Sequence, residues 1–251
     1  ILPGLAQIDC QWVISKGQII VQDKNLVLHP DELDYPEILT GTIRVPRKFS
    51  PADFIVSAGG RKGKVTVRAM KLLTEVITEE NRIRLPVQDD AILPDLQQDA
   101  LTVSIIERKR NTGKVVSGFL QGTGLKSGAC ACSYSWDLGS PVVVVGANEM
   151  DMATAANRLV ELQGGLVVSR NGEIAAEVPM PIGSFMSRGP VDKTAAAFAS
   201  VRESLNDMGA SLTNPFLTLQ TIPGTFLPFF RITLHGFVDM KNKKLLNLVV
   251  E

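Results

Sequence analysis

The sequence predicts an α+β fold: a mostly antiparallel β-sheet, two principal helices in the C-terminal half, and a short β segment at the N-terminus. Three observations carry this. Short runs rich in Val and Ile recur as far as Gly146, broken by Gly, Asn and Asp turn residues. The apolar period becomes helical only after Met150. Several successive runs are joined by hairpin-length turns, which argues against a regular βαβ sheet.

The elements follow in chain order. Trp12 to Ser15, Gln18 to Val21 and Leu26 to Leu28 read as strands, punctuated by Lys16-Gly17 and Asp23-Lys24-Asn25. The polar stretch His29 to Pro51 carries prolines at 30, 36, 46 and 51 and reads as a linker with one short strand, Gly41 to Val45. It divides the chain into residues 1–50 and residues 51–251. Strands are then expected at Asp53 to Ser57, Lys64 to Ala69, Leu73 to Thr78, Arg82 to Val87, Leu101 to Arg108, Val115 to Gln121, Ala129 to Tyr134 and Val142 to Gly146. The first principal helix runs from Met150 to Gln163. Asn148 is its expected N-cap, Asp151 sits in its acidic first turn, and Gly164 stops it. Leu166 to Ser169 and Glu173 to Val178 form a hairpin about Asn171-Gly172. Pro190 opens the second helix in its first turn, and the helix runs to Met208 before Gly209. Phe216 to Leu219 and Phe230 to Leu234 are expected as late strands.

Composition bounds the function. The 251 residues are 45% hydrophobic and 21% charged, enough for a substantial core and too apolar for a disordered chain. Lys plus Arg and Asp plus Glu are 26 each, so neither nucleic acid nor an anionic membrane is the expected partner. The longest apolar stretches, such as Pro141 to Val145, fall far short of the ~20 residues of a membrane helix. No signal-peptide pattern is visible, and three cysteines make no disulfide framework, so a cytoplasmic location is expected. The first residue is Ile1, as expected of a piece of a longer polypeptide. With only His29 and His235, a His-rich metal centre has no place here, and no metal ligand or cofactor is assigned to the chain.

Several motifs invite a chemical reading. Cys130 and Cys132 share one face of a strand, but two thiols without further ligands read best as small buried hydrophobes. Gly122 to Gly128 looks like a phosphate-cradling loop yet lacks the spacing of one, and a strand follows it; a glycine-rich turn is the preferred reading. Arg108-Lys109-Arg110 reads as a solvated basic loop. Glu149 and Asp151 need only a helix N-terminus to explain them. The stretch Ser133 to Ser140 holds three serines, Trp136 and Asp137 after a strand end. Trp136 stacking on a flat ring, with Asp137 and Ser140 bonding to it, is one reading; Trp136 as a core plug and Asp137 as a turn cap is the plainer one.

From Glu107 onward the residues resemble a known family. Ser117 to Ala129, with its Gly-Phe-Leu-Gln-Gly-Thr-Gly-Leu-Lys-Ser-Gly core, is similar to the C-terminal domain of bacterial and archaeal adenine deaminases. So, in the same order, are Val143 to Gly146 with Asp151-Met152, Gly164 to Val168, Pro179 to Ile182 with Phe185-Met186-Ser187, Asn214 to Leu219, and Gly236 to Asp239. The N-terminal hairpin resembles the closing strands of the small β-sandwich that accompanies amidohydrolase barrels.

The resemblance implies a parent hydrolase that converts adenine and water to hypoxanthine and ammonia in purine metabolism. It implies a barrel preceding this chain as its partner, Mn or Fe in that barrel, a purine substrate, and a homo-oligomer. The family block His-Asp-Ser-His-Asn is Trp136-Asp137-Leu138-Gly139-Ser140 here, with only the aspartate kept. Two readings therefore stand: a C-terminal region that covers or supports the active site, or a noncatalytic binding or scaffold relative that has lost it.

Overall fold

The computed structural model describes residues 10–28, 33–133 and 140–250. The chain divides into two compact units, Ile1–Tyr35 and Pro36–Glu251. In the first, β1 (Trp12–Ser15), β2 (Gln18–Gln22) and β3 (Asn25–Leu26) make a three-stranded antiparallel sheet. Both of its turns have two residues. All four, Lys16, Gly17, Asp23 and Lys24, have positive φ, the twist that lets adjacent strands meet without splaying.

The second unit begins with a single helical turn, α1 (Glu37–Thr40). A 3-10 turn, Pro51–Phe54, stands where a strand was expected from Asp53. Ser50 and Asp53 form a reciprocal capping box around it, and Pro51 opens it. The strands are β4 (Lys64–Leu72), β5 (Thr78–Gln88), β6 (Ala91–Ile92), β7 (Ala100–Ile106), β8 (Val115–Gln121), β9 (Ala129–Cys132) and β10 (Val142–Gly146). Helix α2 (Glu149–Leu162) precedes the hairpin β11 (Gly165–Arg170) and β12 (Glu173–Pro179). Helices α3 (Val191–Asp207) and α4 (Pro215–Thr221) lead into β13 (Phe230–Thr233), β14 (Gly236–Asp239) and β15 (Lys244–Leu246).

One nine-stranded sheet organises this unit, in the order β12-β11-β9-β10-β7-β8-β4-β5-β6. Every neighbouring pair is antiparallel except β4 with β8, which run parallel over Ala69↔Phe119, Met70↔Leu120 and Lys71↔Gln121. The expected α+β fold is borne out, with α2 and α3 as its long helices.

The central strands β7, β9 and β10 have every residue buried, because both faces are covered. On β9 the alternation is plain. Ala129 and Ala131 face the cluster with Met152, Ala156 and Leu159 of α2. Cys130 and Cys132 face the opposite cluster, with Val201 and Leu205 of α3, Leu219 of α4, and Phe230 and Phe237. Small residues toward α2 let the helix sit close to the strand. Asn148 caps α2, its Oδ1 accepting the Asp151 N–H at 2.8 Å. Gln163 in the left-handed region, followed by Gly164, ends it.

Four other expectations are corrected. Phe216 to Leu219 lies in α4: Asn214 accepts the Leu217 N–H at 3.1 Å and Pro215 takes the first helical position. Leu73 to Ile77 is a turn before β5, closed by bonds from the Leu73 and Thr74 N–H groups to the Ile77 carbonyl. Gly41 to Val45 forms no strand, because the Gln163 carboxamide takes both the N–H and the carbonyl of Ile43, each at 3.1 Å. Pro190 stands just before α3, at its N-cap, and Val191 is the first helical residue.

Candidate functional site

Strand β7 ends, and β8, β10 and β11 begin, at the end of the sheet where β9 also stops. Buried polar side chains gather there. Arg108 comes just after β7, all of whose residues are buried, and is only 2% exposed. Its Nε donates to the Ser140 carbonyl at 2.5 Å, just before β10. The expected solvated basic loop is thus corrected at its first residue. Burying a guanidinium costs several kcal/mol in general, so such groups persist where they hold something.

Glu107 shapes the turn that delivers Arg108. Its Oε1 accepts the N–H groups of Lys109 at 2.6 Å and Arg110 at 2.8 Å, and its Oε2 accepts the Thr112 hydroxyl at 3.0 Å. Burial pushes this carboxyl up, but the Arg110, Lys109 and Thr112 donors together hold it below its ordinary value.

On the other side, Ser133 directly follows β9 and is 1% exposed. Its Oγ donates to the Ser184 carbonyl at 2.7 Å and accepts the Gly165 N–H at 2.8 Å. Ser184 is fully buried in the left-handed region, with φ 66°, and its hydroxyl is bonded to that of Thr42. The chain can approach this closely only because Gly164 and Gly165 lack side chains. A Cβ on Gly165 would lie 1.8 Å from the Val178 carbonyl oxygen, and one on Gly164 2.5 Å from the Ser184 Cα.

Of the residues proposed to contact a ligand, Trp136 and Asp137 lie outside the described residues. Ser140 is half-buried at this rim with its carbonyl on Arg108. Sequence reasoning missed Arg108, Ser133, Ser184 and Thr42 as members of one cluster. The signal available was a charged pair, Glu107-Arg108, directly after a strand rich in Leu, Val and Ile, and a Gly-Gly pair whose crowding no local rule explains.

The remaining motifs resolve as structure. The glycine-rich loop is at the opposite ends of β7 and β8. There the Asp99 carboxylate accepts the N–H groups of Gly122 and Gly124 at 3.0 Å, so the loop cradles an anion of its own chain. A cleft of about 200 Å³ lies beside it, lined by Leu72, Glu75, Ser211 and Thr213. Cys130 and Cys132 are buried, and burial, with the neighbouring Cys132, pushes the Cys130 thiol well above its ordinary value. Asp151 accepts the Gly172 N–H at 2.7 Å and so ties α2 to the β11–β12 turn. His235 is exposed, and His29 lies outside the described residues. Among the described residues, no three His, Cys, Asp or Glu side chains are grouped to hold a metal ion, and no helix is long and apolar enough to cross a membrane.

A mixed nine-stranded sheet, its central strands covered on both faces, defines an α+β domain. The family described as adenine deaminase C-terminal domain matches residues 75–244, and the chain belongs to that family. It is 33% identical over its whole length to an adenine deaminase of Clostridium botulinum strain Loch Maree, covering 42% of that relative. It is 30% identical to that of Moorella thermoacetica over 99% of the chain and 42% of the relative. For the Brucella melitensis adenine deaminase the figures are 33%, 96% and 40%. The chain therefore spans about two-fifths of the length of the relatives it matches.

Proposed function

We propose that this chain serves as the C-terminal region of an adenine deaminase-type amidohydrolase, whose reaction is adenine plus water to hypoxanthine plus ammonia. The observation that carries this is the match of the whole chain to about two-fifths of enzymes named adenine deaminase. In this reading a barrel elsewhere in the polypeptide holds the catalytic Mn or Fe.

This chain contributes positioning. In this reading Trp136 stacks on the purine, and Asp137 and Ser140 bond to its edge. The parent works in the cytoplasm, in purine metabolism, as a homo-oligomer. The test is ammonia release from adenine with added Mn or Fe, comparing the full-length polypeptide with this chain alone. Turnover by the full-length protein only is the expected result; turnover by the isolated chain overturns it.

A second reading rests on Trp136 and Gly139 standing where the family motif has histidines. There the protein is a binding or scaffold relative. A full-length protein that binds adenine in calorimetry but releases no ammonia with either metal establishes it.

A further inference from the structure

Residues 208–230 contain no Asp, Glu, Lys or Arg, in a chain that is 21% charged. Part of that stretch is packed: Leu219, Ile222 and Phe230 lie in the core. The rest reaches the surface. Phe226 is 66% exposed and Phe229 48%, and Thr225 and Pro228 are exposed with them. Leu73, 51% exposed, stands on the neighbouring turn. Arg231 joins the two segments, its Nη2 donating to the carbonyls of both Val76 and Pro228, and the Thr78 hydroxyl donates to the Phe230 carbonyl.

The loop is held from within. The Met240 N–H donates to the Phe229 carbonyl at 2.7 Å, and the Leu227 N–H to the Gly224 carbonyl at 3.1 Å. Its rings are therefore presented outward by backbone that needs little further ordering on binding. Single exposed hydrophobic side chains are ordinary. Three large ones on adjacent segments, on a loop without charge, have the composition of an interface centre, which is aromatic and depleted of charge. Leu73 also lines the cleft of about 200 Å³ with Leu72, Glu75, Ser211 and Thr213, so the surface continues into a polar hollow.

The chain spans 42% of a relative that it matches over its whole length, so more than half of such a polypeptide lies outside these residues. Two separate molecules need about 1,200 Å² or more of buried surface to stay together. A module tethered in the same polypeptide needs less, because tethering raises its effective concentration. Three side chains and a small cleft suit the tethered case. We propose that Leu73, Phe226 and Phe229 form the face on which this chain docks onto the remaining module of its parent polypeptide. The inference rests on the reading of the chain as the C-terminal region of an amidohydrolase, whose barrel is then the occupant.

The test is hydroxyl-radical footprinting of the full-length polypeptide beside the 251-residue chain, read by mass spectrometry. Phe226, Phe229 and Leu73 are oxidised roughly fivefold more slowly in the full-length protein, because the centre of an interface excludes solvent. Met150, 60% exposed on α2, is oxidised alike in both. Phe226→Ser with Phe229→Ser in the full-length protein returns Leu73 to its rate in the 251-residue chain. Equal oxidation of the three residues in the two proteins overturns the proposal. So does protection of Met150 alone, which puts the contact elsewhere, and so does protection that grows with protein concentration, which makes the occupant a second copy. Ammonia release from adenine by the same full-length preparation is read separately. If there is none, the deaminase reading fails, while the footprint still decides the interface.

Discussion

Both carboxylate oxygens of Asp99 reach the backbone N–H of Gly124, at 3.0 and 3.1 Å. The second oxygen also takes the Gly122 N–H at 3.0 Å, and the Thr123 hydroxyl adds a longer bond. Gly122 and Gly124 have φ of 99° and 75°, the left-handed region that turns successive N–H groups inward. Asp99→Ala removes the acceptor from these donors and lowers the unfolding free energy by about 1–3 kcal/mol in urea titrations. Inorganic phosphate raises the melting temperature of that variant and leaves the wild type unchanged.

Arg231 is the complementary case, a cation held by carbonyls. It is fully buried in β13, and its guanidinium donates to the carbonyls of Val76, Thr221 and Pro228, the last at 2.6 Å. Burial pushes its pKa down, to about 10. Its charge favours the C-terminal end of α4 and ties that end to the loops before β5 and β13. Arg231→Met leaves these acceptors without their donor and costs roughly 3 kcal/mol of stability in denaturant unfolding. Arg231→Lys, which reaches fewer of them, costs less.

Asp53 gives an acid-side signature. The Arg47 guanidinium grips it with bonds of 2.5 and 2.8 Å; burial opposes this, and Ser50 adds two more bonds, so the carboxyl lies well below its ordinary value. A depressed folded-state pKa means the unfolded chain takes up the proton first, so the contribution is complete above about pH 4 and is lost as pH falls below it. The stability gap between wild type and Asp53→Asn is therefore flat from pH 7 to pH 5 and narrows below pH 4. Urea titrations across that range check it.

The cysteines separate by access. Cys10 is exposed, whereas Cys130 and Cys132 are buried and the Cys130 thiol is held protonated. A thiol reagent such as Ellman's titrates one cysteine per native chain rapidly and three after denaturation. Cys130→Ala costs about 1 kcal/mol, the scale of a small core truncation.

Much of the fold was legible because its core strands announce themselves. Residues 142–146 are an unbroken apolar run, and residues 100–106 depart from one only at Thr102 and Ser104, as suits strands covered on both faces. Helix α2 carries its cap, its acidic first turn and its stop in the sequence. The misread segments were short. Four apolar residues from Phe216 to Leu219 fit a strand or a helix equally, and Asn214-Pro215 is the local signal that decides. At the rim, no local rule says that Arg108 turns inward while Lys109 and Arg110 stay outside. That choice depends on Ser140, 32 residues away in the chain. Ser133 and Ser184 meet for the same kind of reason, across 51 residues.

The parallel contact between β4 and β8 has its own consequence. It spans three residue pairs, against nine for β4 with β5 and seven for β7 with β8. Residues 64–92 and 100–179 are each stitched mainly to themselves, and this narrow seam splices the two halves of the sheet. The pairings within each half close shorter loops than the seam does, so loop-closure entropy favours the hairpins over the seam between Met70 and Leu120.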